Sequence, residues 1–88
     1  MNIKNRKILL IIGGGIAAYK SLDLIRLLKK NNNEIKVILT KSGKEFVTPL
    51  SITTLTKSKT FESTFDKENF SEIDHIALSR WSDLIIVL

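Results

Sequence analysis

Apolar residues run without a break from Ile8 to Ile12 and stop at three successive glycines, Gly13, Gly14 and Gly15. A short run with no polar side chain is the mark of a strand covered on both faces, as in a parallel sheet. The pattern therefore predicts a strand over Lys7 to Ile12 and a tight turn after it. From Ile16 to Lys30 the spacing changes to three and four. Leu22, Ile25 and Leu28, with Leu24 and Leu27 beside them, supply an apolar face, and Lys20, Asp23, Arg26 and Lys30 fall opposite. This is an amphipathic helix with Lys29 and Lys30 in its last turn, where cations suit the dipole, and it ends at Asn31, Asn32 and Asn33.

Glu34 to Thr40 alternates and then turns apolar, which predicts a second strand. Strand, helix and strand in this order form a βαβ unit with parallel strands. A short helix is expected over Gly43 to Val47. A second follows over Leu50 to about Leu55, with Thr48 as N-cap and Pro49 at its first position. Lys59 to Phe65 alternates weakly, as a short edge strand does, and Asp66 to Ser71 is a polar loop. A helix then runs from Ile73 to Arg80 or Trp81, before a last apolar strand over Asp83 to Leu88. Leu84 to Leu88 is so apolar that it is expected in the middle of a sheet, covered on both faces. The expected fold is α/β, a Rossmann-like parallel sheet with helices on both faces. Because the chain stops on that strand, residues 1–88 are read as the N-terminal part of a longer domain.

Composition narrows the class. The 88 residues are 43% hydrophobic, contain no cysteine and carry a net charge of +5. Disulfides, thiolate metal sites and a cysteine nucleophile are excluded within this chain, and no metal site is expected. The basic charges are dispersed, without an aromatic platform among them, so they predict a solvated surface rather than a nucleic-acid interface. The longest apolar run, Ile8 to Ala18, is too short for a bilayer and is broken by glycine. No small-residue cleavage site follows it, so it is a poor signal peptide. No membrane partner and a cytoplasmic location are expected.

The chemistry is expected at the glycine turn. The first N–H groups of a helix lack partners within it, its dipole puts partial positive charge there, and glycine allows a phosphate close approach. Gly13, Gly15 and Ala18 match the dinucleotide fingerprint, but that fingerprint needs an acid at the end of the second strand. Thr40, Lys41 and Ser42 stand there, and Glu34 lies at the other end, so NAD is disfavoured. Gly14 to Ser21 comes within one residue of a P-loop, yet Tyr19 replaces its second glycine and no aspartate follows the last strand for magnesium. A mononucleotide remains, its phosphate held by Gly14, Gly15 and Ile16 together with Thr40 to Ser42. The competing reading is a glycine turn that only packs helix on strand.

His75 is the only histidine and so the only side chain whose ordinary titration range suits it to proton transfer near neutrality. A single histidine is more often structural. Its place at the start of a helix, just before the strand expected beside the first, favours a functional role. Trp81 is expected in the core, Arg80 on the surface and Asp83 in a turn.

Taken together, GGGIAAYK, VILTKSGKEF with TPLSITTLT, and DHIALSRWSDLIIVL closely resemble the flavin-dependent cysteine decarboxylases across the whole chain. Among them the resemblance is to the branch that converts 4'-phosphopantothenoylcysteine to 4'-phosphopantetheine in coenzyme A biosynthesis, often fused to a phosphopantothenate–cysteine ligase. The resemblance implies FMN bound through Gly14, Gly15, Ile16, Thr40, Lys41 and Ser42, with His75 as the catalytic histidine. It implies that oxidation at the substrate's thiol makes decarboxylation facile and that the electrons are then returned. It also implies homotrimers, or dodecamers built from them, with FMN at subunit interfaces. The Pro-Ala-Thr and Pro-x-Met-Asn segments, the substrate lid and the ligase domain of such enzymes are not in these 88 residues, so the isolated piece is expected to be inactive. Alternatives are a non-catalytic flavin or mononucleotide module, a flavin prenyltransferase or a peptidyl-cysteine decarboxylase.

Overall fold

The computed structural model describes residues 3–63 and 72–88, except for the side chains of 16–19, 63 and 72–75. Strand β1 is Lys7–Ile12, helix α1 Ile16–Lys30, β2 Glu34–Thr40, α2 Pro49–Thr56, β3 Thr60–Ser63, α3 Glu72–Trp81 and β4 Leu84–Val87. A single 3-10 turn, Gly43–Glu45, stands between β2 and α2 where the sequence pattern suggested a somewhat longer helix. The strands form one parallel sheet in the order β3-β2-β1-β4. The polar loop expected over 66–71 lies outside the described residues.

Side chains alternate across a strand, so the unbroken apolar run of β1 serves two cores at once. Ile8, Leu10 and Ile12 pack with Ile25 and Leu28 of α1 and Ile52 of α2 on one face, and Leu9 packs with Ile38 and with Leu78 of α3 on the other. Helices therefore cover both faces, as the βαβ pattern requires. Thr48 caps α2 as expected, its Oγ1 accepting from the Ser51 N–H at 3.1 Å, with Pro49 at the first position.

Two expectations about apolar positions are corrected. Leu27, grouped with the apolar face of α1, is 56% exposed. It follows Arg26, on the polar side, while Ile25 and Leu28 take the buried stripe. The last strand does pair with β1, but it is not covered on both faces: Leu84, Ile85 and Val87 are exposed. Among the described residues β4 has a strand on one side only, and its apolar character reports a covering that those residues do not supply.

The amino ends of the strands are fastened by side chains. Asn33 is 3% exposed; its Oδ1 accepts from the Arg6 N–H, and its Nδ2 donates to the carbonyls of Ile3 and Leu28. The Asn triplet thus does more than end the helix. Asn32 takes the left-handed conformation, and Asn33 clamps the chain before β1 onto the α1–β2 turn. Replacing Asn33 by Ala strands the Ile3 carbonyl and the Arg6 N–H, while the Leu28 carbonyl keeps its backbone donors, so we expect a loss of about 2 kcal/mol, read as a lower urea midpoint. Asn33→Asp, which can accept but not donate, is expected to be at least as damaging. Asp83 also exceeds its expected turn role. Its Oδ2 accepts from the Lys7 N–H at 2.9 Å, and its own N–H donates to the Lys7 carbonyl, which sets the β1/β4 register. Trp81 is half-buried rather than fully in the core, with the Lys36 ammonium 4.5 Å from its ring centre.

Candidate functional site

The sheet changes winding direction at β1, with β2 and β3 on one side and β4 on the other. In open parallel sheets the crevice at such a switch point, beyond the carboxyl ends of the strands, is where ligands bind. Gly13, Gly14 and Gly15 leave β1 at that place, and Thr40, Lys41 and Ser42 leave β2 beside them. Glu34 pairs with Lys7 at the opposite end of the sheet, which agrees with the argument against NAD.

Each glycine is there for a different reason. The Gly13 N–H donates to the Leu88 carbonyl at 3.0 Å, which carries the β1/β4 pairing to the edge of the crevice. A Cβ on Gly14 would come within 2.8 Å of the Ser42 Cβ, so the two loops touch at this point. Gly15 has φ 104° and ψ −175°, a conformation open in practice only to glycine. It is also the N-cap of α1. No side chain caps that helix, and its first turn has no acid. A helix start with that sign of dipole, backed by glycine, is suited to an anion.

The second loop is built to meet the first. The Thr40 hydroxyl donates to the Ile12 carbonyl at 3.1 Å and accepts from the Gly43 N–H at 3.1 Å. Its single proton is therefore spent inside the protein, and Thr40 acts by holding Lys41 and Ser42 in place. Ser42 is half-buried and Lys41 exposed. Gly43 was not among the expected site residues, yet it is buried, and a Cβ there would lie 2.7 Å from the Ile12 carbonyl oxygen. A glycine directly after Thr40-Lys41-Ser42, at the end of a buried strand, was the sequence signal for that close approach. The structure thus brings Gly14 and Ser42 together, with Gly15 at the helix start and Thr40 behind the second loop. The side chains of Ile16 and His75 lie outside the described residues; the backbone of Ile16 opens α1.

Position 75 is placed by its helix. The Trp81 ring meets Lys36 of β2, and Leu78 packs on Ile38, two residues nearer the carboxyl end of that strand. Helix α3 therefore runs antiparallel to the sheet, and residue 75, one turn before Leu78, lies further toward the crevice end. Among the described residues there is no group of acids, histidines or cysteines able to hold a metal, and no helix is long and apolar enough to cross a membrane.

This is a doubly wound α/β fold with a glycine turn and a hydroxyl-bearing loop at its switch point. The chain belongs to the flavoprotein family, whose model matches residues 1–88. It is 42% identical over 85 residues to the coenzyme A biosynthesis bifunctional protein CoaBC of Vibrio vulnificus, covering 97% of this chain and 21% of that protein. Among solved structures, the FMN-dependent cysteine decarboxylase SpaF superposes with a TM-score of 0.73 at 21% identity, over 93% of this chain and 47% of that one. A PPC decarboxylase variant complexed with pantothenoylaminoethenethiol superposes with a TM-score of 0.67 at 24% identity, over 96% and 47%. The chain spans about a fifth of the curated relative and about half of the solved structures.

Proposed function

We propose that the protein decarboxylates 4'-phosphopantothenoylcysteine to 4'-phosphopantetheine in coenzyme A biosynthesis with FMN as cofactor, and that residues 1–88 are the N-terminal part of its FMN-binding domain. The observation that carries this reading is the contact of Gly14 with Ser42 beside the uncapped start of α1. The contact leaves no room for a side chain at position 14, beside a helix start whose first N–H groups have no partner within the helix. Those features fit a phosphomonoester. The whole-chain similarity to a CoaBC protein, and the FMN and pantothenoyl ligand named for the solved neighbours, support the choice of cofactor and substrate.

In this reading the N–H groups of Gly14, Gly15 and Ile16 hold the phosphate, and Lys41 and Ser42 close over it with Thr40 fixing their loop. FMN supplies the two-electron redox chemistry at the substrate's cysteinyl group that makes loss of the carboxylate facile. His75 orients the substrate and assists proton movement at that carbon–sulfur unit. Neighbouring subunits of a homotrimer, or of a dodecamer built from trimers, complete the site, in a cytoplasmic enzyme.

The test has two readouts. The purified full-length protein is expected to be yellow and to release FMN on denaturation, and to form CO2 from 4'-phosphopantothenoylcysteine. A colourless protein that takes up no added FMN overturns the reading. Bound flavin without turnover overturns the decarboxylase part and leaves a flavin-binding module.

A further inference from the structure

The loop that carries Lys41 and Ser42 is fastened on two sides. Toward β1, Thr40 binds the Ile12 carbonyl and Gly43 sits against the same carbonyl. Toward β3, Lys44 in the 3-10 turn forms an ion pair with Glu62. Glu62 stands opposite Leu39 in the β2/β3 register, so the pair ties the turn to the next strand rather than to its own. Between these anchors the chain is stiff, because the N–H groups of Glu45 and Phe46 bond to the carbonyls of Ser42 and Gly43. A stiff turn held on one side can still pivot; held on both it has one orientation.

We propose that Lys44 and Glu62 are a positioning pair for the flavin phosphate site, holding Ser42 against Gly14. The inference rests on the FMN reading above. Both side chains are about two-fifths exposed, 44% and 42%, so losing the pair leaves the cores intact. An exposed ion pair is worth at most about 1 kcal/mol, which sets the effect on affinity at roughly threefold and no more than about fivefold.

The sign of the effect is diagnostic. Glu62→Gln removes a negative charge near the site of a phosphate dianion, so a purely Coulombic role makes FMN bind more tightly. A positioning role makes it bind more weakly. With full-length protein stripped of flavin and titrated with FMN by fluorescence quenching, Glu62→Gln is expected to raise Kd about threefold with little change in unfolding midpoint. The charge-exchanged double variant, Lys44→Glu with Glu62→Lys, keeps the native net charge and is expected to regain most of the affinity. Unchanged or tighter binding by Glu62→Gln, or no recovery in the double variant, overturns the proposal. Failure of the unaltered protein to bind FMN is a separate result, which overturns the FMN reading and the pair's role with it.

Discussion

Gly43→Val is expected to destabilise the protein by about 3 kcal/mol, near the upper end of the cost of overpacking a tight interior. A Cβ at position 43 would lie 2.7 Å from the Ile12 carbonyl oxygen, 2.8 Å from the Leu39 Cδ1 and 3.2 Å from the Gly13 carbonyl oxygen. Leu39 can turn aside, but the two carbonyls belong to the end of β1 and to the glycine turn. Moving them breaks the Thr40 bond to Ile12 and displaces the turn that Gly13 opens. Gly43→Ala already introduces the colliding atom and is expected to cost more than half as much. Urea unfolding measures both, and in the FMN reading proposed above flavin uptake by the full-length protein is expected to fall with stability, because the displaced backbone adjoins the proposed phosphate site. If Gly43→Ala unfolds at the native midpoint, the contact between the two loops is not as close as described.

In the decarboxylase reading proposed above, His75→Asn in the full-length protein is expected to lower kcat by about 10² to 10⁴, the range of a lost proton-transferring group, with flavin content unchanged. The expectation combines the resemblance to the cysteine decarboxylases with the course of α3, which carries position 75 toward the crevice end of the sheet. Asparagine is close in size to the imidazole and retains hydrogen-bonding capacity, so a loss of rate with retained flavin separates chemistry from folding. Steady-state turnover of 4'-phosphopantothenoylcysteine, with flavin absorbance measured on the same sample, makes the comparison. Full activity in the variant removes His75 from the mechanism.

Much of the fold is legible in short stretches. The unbroken apolar run places β1, the period of three to four places α1, the alternation of Glu34 to Thr40 places β2, and Thr48 with Pro49 marks the start of α2, because these signals depend on neighbours within one turn or one strand. Leu27 shows the limit of that reasoning. A leucine next to an apolar stripe has the right composition, but the angle at which α1 lies on the sheet decides which residues are covered. Leu84 to Leu88 shows it again: apolar character tells that a strand is to be buried without telling by what.

The candidate site divides in the same way. Gly14, Gly15 and Thr40 to Ser42 are visible in the sequence because each loop follows a recognisable strand, and glycine and hydroxyl residues have known uses beside phosphate. The link between the loops is not visible there. Thr40 lies 28 residues from Ile12, and only the parallel register of β1 and β2 brings its hydroxyl to that carbonyl. Gly43 and the Lys44–Glu62 pair depend on the same register and on that of β2 with β3.

Side-chain pattern and backbone freedom are local, and they suffice to set most of the elements, their order and a glycine turn between β1 and α1. Folding is needed before Gly14 meets Ser42, Thr40 holds its loop through Ile12 and Asn33 becomes a clamp. Those contacts join residues far apart in the chain, and their geometry is set by the packing of a whole sheet between two layers of helices.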